Sequence, residues 1–499
     1  MKTVFAVFPN QLFKQILNFN KQIRIIIVQD SLFFSDTERS SNLAKVKIAY
    51  TRATCALFAK ELESNGFKPE LLEYSTSLKD FLQKNQIGKV QAFQVVDHLL
   101  EQRLNKTTDE LNIELEFLRT PAFLYSDEEL EEYFKSQKAP YFHNNFYKYF
   151  RVKRNWLMTK NGFVGGKLSF DQENRKRMPD SVNPPSAFVE LSQSEKNEWK
   201  SACEWTLEHF PNNPGKFECL FPIGRETAEL QFEKFLNERF EMFGPYQDAL
   251  RKPKSMKDTT LFHSTIAAAL NSGLLDPLEV VEKLLKAKAP IQSMEGLLRQ
   301  IIGWREFTRM LYVREGTSMR LSRLLEYPEE CHLTEKWYQG TTGIPPIDDA
   351  IKVAFSVGYL HHIQRLMLLG NFMTILGIDP DEVYKWFLEF SLDAYDWVMI
   401  PNVYGMASFA SDLMSTKPYI SGSNYVLKMS DYKKGDWTHI WDSLYYDFLD
   451  RNEEMLSGNY RMSIMYANWR KKTDQQKADL LSTAEKFRQS IYSIKKPKH

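Results

Sequence analysis

Cysteine is scarce in this chain. There are four in 499 residues, Cys55, Cys203, Cys219 and Cys331, and no two lie close together. That excludes a disulfide framework and fits a reducing cytoplasm. Neither sign of charge is in surplus: 65 Lys and Arg against 64 Asp and Glu leave +1. No global field draws the chain to nucleic acid or to a membrane, so any phosphate contact must come from a local patch. No apolar run reaches the ~18 residues that a membrane span needs. The opening MKTVFAVFPNQLFKQ reads as a strand, not as a basic stretch ahead of an apolar one, so neither a signal peptide nor a membrane partner is expected. There is no internal repeat and no low-complexity segment beyond a lysine-rich tail, IKKPKH. A monomer in the cytoplasm is the expectation.

Aromatic residues make up 14% of the chain, a good supply for stacking on planar ligands. At roughly 100–200 residues per domain, the length suggests two or three domains. Residues 1–130 alternate short apolar runs with amphipathic stretches. Runs at 3–8, 23–30 and 90–96 predict buried parallel strands, and 43–66 predicts a helix ending at Gly66. The alternation predicts an α/β domain with a doubly wound parallel sheet. Residues 131–240 are less regular and read as a connector. From 241 to 499 the period is helical and β signals fade, which predicts a large all-α domain.

One segment of that half stands out. YLHHIQRLMLLGNFMTILGI (359–378) is apolar on most sides yet carries His361, His362 and Arg365 within one turn. Ionisable groups in such surroundings need partners. The next segment, VYKWFLEFSLDAYDWVMIPNVYGM (383–406), offers Asp393 and many aromatics. Charges, imidazoles and indoles around an apolar pocket suit a redox cofactor, although Arg365 and Asp393 would also serve as a structural ion pair. Adjacent histidines on a helix point about 100° apart, so one core and one surface histidine is the plain alternative to acid–base chemistry at a pocket wall. No third His or Cys stands at ligand spacing, so no metal is expected. His263 and Ser264, at a predicted helix start, offer a hydroxyl and free N–H groups to a pyrophosphate, or serve as an ordinary cap. Arg299, Gln300, Trp304, Arg305 and Glu306 fall on adjacent turns and read as a ligand-lining face.

HHIQR, followed 28 positions after its arginine by Asp393, resembles the flavin-cradling core of the photolyase/cryptochrome family. The resemblance runs over nearly the whole chain. GGKLSFDQENRKRMP (165–179), FGPYQDAL (243–250), FHSTIAAALNSGLL, EGLLRQIIGWREF, DAYDWVMIPNVYGM, TKPYISGSNYV (416–426) and YYDFLDRN (445–452) follow in the family's order. They are most similar to the bacterial branch of (6-4) photolyases and cryptochromes that binds an iron–sulfur cluster.

The resemblance implies FAD in the helical domain, held by Tyr246, His263, Ser264, Ile266, Gln300, Arg305, Arg365, Asp393, Met399 and Asn402. It implies that His362, with His361 and Tyr419, acts on a lesion in UV-damaged DNA, and that Trp386, Trp337 and Tyr338 carry electrons. The activity implied is a light-driven DNA photolyase of the (6-4) type; a blue-light receptor without repair is the alternative. A lumazine antenna is expected at the FPNQL turn (8–12), where a strand of an open α/β sheet ends. KYFRVKR (148–154), RKPKSMK (251–257) and NWRKK (468–472) are candidate phosphate-contacting patches.

The chain also departs from that branch. The cluster needs four thiolates in the C-terminal half; this chain has no cysteine after Cys331, and Pro346 stands about where the first ligand belongs. No cluster is expected, with Trp437 or Trp441 packing into the gap. Met399, six after Asp393, replaces the polar residue that usually faces flavin N5 and offers only a weak sulfur acceptor. Tyr338 stands where a tryptophan is usual, and Phe387 where tyrosine is common.

Overall fold

The computed structural model describes residues 2–328 and 331–492; the lysine-rich tail lies outside them. Five parallel strands form the N-terminal sheet: β1 (Thr3–Val7), β2 (Arg24–Val28), β3 (Glu70–Leu72), β4 (Lys89–Phe93) and β5 (Glu114–Leu118), in the order β3-β2-β1-β4-β5. Four of the five residues in β1 and in β2 are fully buried. Strands covered on both faces read as continuous apolar runs, which is why these two are visible in the sequence. β3 has only three residues, and β5 is an edge strand with no fully buried residue; neither carries such a run. The expected helix at 43–66 forms over Lys45–Ser64, and Gly66 follows it at φ 84°.

The stretch 131–240, read as a connector, divides its helices between the two halves. Helix Gln193–His209 starts with a capping box of Ser192 and Glu195 and packs along Lys45–Ser64. Helix His143–Lys153 packs instead on the segment Arg299–Arg305 of the helical half.

That half is built from helices such as Glu306–Leu321, Pro345–Val357, Pro380–Phe390, Asp436–Arg451 and Asp474–Tyr492. Three helical runs are interrupted by a wide π turn, at Arg299–Arg305, Gln364–Gly370 and Pro401–Ala407. Each such turn carries an extra residue and bulges outward, and all three face one cavity. Gly370 lets two of these turns meet: a Cβ there would stand 3.0 Å from the Ala407 Cβ.

One apolar core runs through both halves, from Phe5 and Val7 to Phe487 and Ile491. Buried polar groups cross the same boundary. Arg39 binds Asp97 at 2.5 Å and Asp36 at 3.2 Å, and lies 3.8 Å from Asp396, which accepts from the Tyr312 hydroxyl at 2.7 Å. Displacing the partners of such a buried charged network is costly, so it ties the two halves together. Among the described residues, no helix is long and apolar enough to cross a membrane.

Candidate active site

The three π turns surround a cavity of about 1210 Å³. The first contributes Arg299, Gln300, Trp304 and Arg305, the second Leu366 and Met367, and the third Asn402 and Met406. The loop ahead of helix Ala267–Ser272 adds Ser264 and Ile266, and 415–420 adds Tyr419. A lobe of about 240 Å³ shares His362, Asp393 and Asn402 with it and adds His263, Arg365 and Met399.

Arg365 and Asp393 form a two-pronged pair, Nη1 to Oδ1 at 2.9 Å and Nη2 to Oδ2 at 3.2 Å. This geometry suits a guanidinium and a carboxylate held in one plane. Neighbours fix both partners. Arg365 Nε donates to the Leu360 carbonyl at 2.6 Å, the Ser391 hydroxyl donates to Asp393, and the Asn271 amide donates to the Asp393 carbonyl at 2.8 Å. Asn271 in turn accepts from Arg305 Nε at 3.2 Å. The cavity wall is thus one connected polar set. Arg305 is so deeply placed that burial pushes its guanidinium down to about 10, and burial likewise raises the Glu306 carboxyl beside it.

The two adjacent histidines part company. His362 stands exposed at the cavity and opens the helix that leads into the second π turn. His361 lies ahead of that helix, not on it, because Gly358 at φ 71° ends the preceding one. Its ring is buried and stacks flat on His263, centroids 4.5 Å apart, and it lines neither cavity. A role at the cavity wall therefore falls to His362 alone. Burial, then Arg365, pushes the His362 imidazole down to about 4, and burial takes His263 down to about 3.

Other expectations shift as well. Tyr246 stacks on Phe262, centroids 5.7 Å apart, and does not reach the cavity; its neighbours Gln247 and Asp248 do. The helix start expected at His263 and Ser264 moves on to Ala267, where helix Ala267–Ser272 begins, since Leu261 and Thr265 take positive φ, so Ser264 sits in a loop. The FPNQL turn lines none of these cavities. Phe8 to Leu12 are buried, Gln11 donates to the Phe93 and Gln94 carbonyls, and the Leu12 N–H binds the Ser272 carbonyl. A separate cavity of about 590 Å³ lies beyond the C-terminal ends of β4 and β5, lined by Phe93, Arg119 and Trp156 among others.

KYFRVKR is not a free patch: Arg151 is buried against backbone carbonyls, Lys153 pairs with Glu132, and Arg154 pairs with Glu129. In NWRKK, Arg470 pairs with Glu453 and Lys472 lies over the Tyr446 ring. In RKPKSMK, Arg251 donates to the Val182 and Pro179 carbonyls, while Lys252 and Lys254 are exposed.

Sequence reasoning missed His143, which lies flat on Trp304 with centroids 3.9 Å apart, and the loop residues Lys167, Asp171 and Arg175. A Cβ on Gly303 would stand 2.6 Å from His143 Nε2, so the glycine makes room for that stack. Only the Gly-Gly and mixed charges of 165–179 hinted at these loop residues.

Around the cavity several buried polar atoms have no partner: Nη2 of Arg299 and Arg305, and Nε2 of His143 and His263. Unpaired guanidinium donors on an aromatic-lined cavity of this size call for a large, flat, acceptor-rich anion, and a flavin dinucleotide fits that description. Of the expected electron carriers, Trp386 and Trp337 are fully buried, and the Trp386 indole N–H donates to the Trp337 carbonyl at 2.9 Å. Near Pro346, the Tyr432 hydroxyl donates to Asp349 at 2.9 Å, and Trp437 packs on Trp441, centroids 6.0 Å apart. Among the described residues, no three His, Cys, Asp or Glu side chains are grouped to hold a metal ion.

Comparison with known proteins accounts for this arrangement. Residues 5–220 match the family described as deoxyribodipyrimidine photo-lyase-related protein, and residues 297–441 match the FAD binding domain of DNA photolyase. The chain is 31% identical over 469 residues to a (6-4) photolyase of Agrobacterium fabrum, covering 89% of this chain and 90% of that protein. Two solved structures share the fold. The cryptochrome of Synechocystis has a TM-score of 0.56 at 13% identity, over 98% of this chain and 99% of that one. A class III photolyase of Agrobacterium tumefaciens has a TM-score of 0.50 at 14% identity, over 82% and 80%.

Proposed function

This chain belongs to the photolyase/cryptochrome family, and from that premise we propose that it repairs UV-damaged DNA with light, acting on (6-4) photoproducts. The observation that carries the reading is the main cavity with its adjoining lobe. They share His362, Asp393 and Asn402; Arg365, paired with Asp393, lines the lobe and suits a flavin ring, and Tyr419 lines the main cavity and with His362 suits a lesion.

FAD supplies light-driven electron donation when bound. The chain's residues supply the rest. Ser264, Gln300 and Arg305 hold the cofactor, and Arg365, kept in place by Asp393, favours negative charge beside it. His362 holds a proton at a ring nitrogen next to the lesion. The cavity walls and Arg365 keep that imidazole neutral at pH 7 in the free protein; negative charge on the bound, damaged DNA would raise its pKa, so that the ring would hold the extra proton that it gives to the lesion and return to its neutral form.

A lumazine antenna belongs to the same reading. With the FPNQL turn packed solid, the cavity bordered by Phe93, Arg119 and Trp156 is the place for it. The reading includes no iron–sulfur cluster, because no thiolate follows Cys331. It takes the protein as a monomer of the cytoplasm.

The test is repair of oligonucleotides carrying a (6-4) photoproduct or a cyclobutane dimer by the purified, flavin-loaded protein, in light and in the dark. Light-dependent repair of the first substrate alone is expected. A bound flavin with no repair of either would replace this reading with a photoreceptor, a role favoured by Met399 standing where a polar side chain usually faces the ring.

A further inference from the structure

The Tyr338 hydroxyl donates a hydrogen bond of 2.9 Å to Glu389 Oε2. Glu389 is 3% exposed, and its other oxygen accepts the Asn42 N–H at 2.7 Å. A phenol bonded to a buried carboxylate could be a plain brace between the two halves. Its surroundings argue for more. The Phe355 ring lies between Tyr338 and Trp386, with centroids 5.4 Å from the first and 5.6 Å from the second. Trp386 in turn packs on Phe390 at 4.9 Å and on Phe387 at 5.2 Å. Phe387 lines the lobe that holds Arg365 and Met399, and the Arg365 guanidinium lies 6.0 Å over the Phe390 ring. A line of rings thus runs from the cofactor cavity to half-exposed Tyr338, and only its tryptophan and tyrosine are readily oxidised.

The hydrogen bonds along this line are unequal. The Trp386 N–H points at the Trp337 carbonyl, an amide oxygen too weakly basic to take a proton. An oxidised Trp386 therefore stays a cation. Tyr338 points at a carboxylate. We propose that Glu389 is the proton acceptor that makes Tyr338 the end of the oxidation path.

The step balances as follows. FAD, whose presence rests on the functional reading above, would when bound in its oxidised form supply the light-driven one-electron oxidant, and Trp386 would give up one electron to it. Tyr338 passes one electron to Trp386 and restores the indole. The Tyr338 O–H bond breaks, and its proton forms a new O–H bond on Glu389 Oε2. A neutral tyrosyl radical and a carboxylic acid remain, to be reset by a one-electron reductant such as a thiol.

The charged and titratable groups facing Glu389 are Tyr338, Glu382 and Lys385, with Lys47 from the N-terminal half. Burial outweighs them and pushes the carboxyl up to about 7. It is a ready base above that pH and a protonated, useless one below.

The test is light-induced electron paramagnetic resonance and transient absorption on the flavin-loaded protein, with Glu389→Gln and Tyr338→Phe. Glutamine keeps the shape and the Asn42 bond but is not a base. A neutral tyrosyl radical is expected in the wild type, absent in Tyr338→Phe, and reduced by at least roughly tenfold in Glu389→Gln with a longer-lived tryptophan cation in its place. The wild-type yield should fall as pH drops through about 7, and the Glu389→Gln yield should not follow. Equal tyrosyl yield and equal pH profile in Glu389→Gln would overturn the proposal, as would a tryptophan radical with no tyrosyl radical in the wild type. Bound flavin with no oxidised side chain would overturn this proposal alone, whereas a purified protein that takes up no flavin would overturn the functional reading on which it rests.

Discussion

Lys47 of the N-terminal half fixes the backbone on both sides of Asp393 in the helical half. Its ammonium donates to the Leu388 carbonyl at 2.5 Å and to the Ala394 carbonyl at 2.9 Å. The sheet domain therefore helps to hold the carboxylate that holds Arg365. Lys47→Met removes both donors while keeping the apolar stem. Leaving buried carbonyls unsatisfied should cost about 1–3 kcal/mol, and the purified variant should carry less flavin per chain. Burial also pushes the native ammonium down from 10.5 to about 7. Between those values the unfolded chain binds the extra proton, so this group makes stability rise with pH. Urea midpoints measured from pH 7 upward should show that rise in the wild type and lack it in Lys47→Met.

Arg365→Ala leaves Asp393 with a buried, unmatched charge. Breaking such a pair costs about 3–5 kcal/mol, more than removing it whole. Thermal melts should place Arg365→Ala below the double variant Arg365→Ala/Asp393→Ala. Both should lose flavin absorbance. A single variant as stable as the wild type would mean that solvent screens the pair.

How much of this was legible depends on which physical signal each element leaves. β1 and β2 announce themselves because burial on both faces demands unbroken apolar runs; β5, ELEFL, does not, because an edge strand keeps its charges. The Arg365–Asp393 pair was legible as ionisable groups in apolar surroundings. The three π turns were not: one extra residue per turn leaves hydrophobic periodicity almost unchanged, yet it turns Gln300, Leu366 and Asn402 towards one cavity. His361 and His362 look equivalent in sequence. They separate only because the chain enters the helix between them, at a boundary that the apolar pattern does not mark.

Acid should unfold the protein through its imidazoles. Burial pushes His143 and His263 down to about 3, from an ordinary 6.5. Below pH 6.5 the unfolded chain takes up protons that the native one refuses. The stabilisation from these groups is complete above pH 6.5 and is lost progressively as pH falls towards 3. The difference in urea midpoint between the wild type and a His143→Phe variant, in which the titration of Lys47 cancels, should be level between pH 7.5 and 6.5 and then shrink at 5.5 and 4.5. The variant, which can keep the stack on Trp304, should decline less steeply. A difference that stays level down to pH 4.5 would show that the His143 ring is protonated in the native state.

His362→Ala should keep the flavin and lose (6-4) repair by ~10²–10⁴-fold, the usual contribution of a positioned proton donor. The ring is exposed at the cavity and bonds to none of the groups that hold Arg365, so the fold has little to lose. His361→Ala should behave in the opposite way. Its buried ring supports His263, so the cost falls on stability, with repair reduced only as far as folded protein is lost. The pH profile separates two ways for His362 to act. If it works as an imidazolium with the pKa of about 4 that burial and Arg365 impose, repair should drop about tenfold for each pH unit above that value. If the neutral ring gives its N–H proton, or the lesion's charge raises the pKa on binding, single-turnover repair should be level from about pH 6 to 8. The level profile is expected. Steady tenfold losses across that range, with flavin content unchanged, would assign the chemistry to the cationic ring.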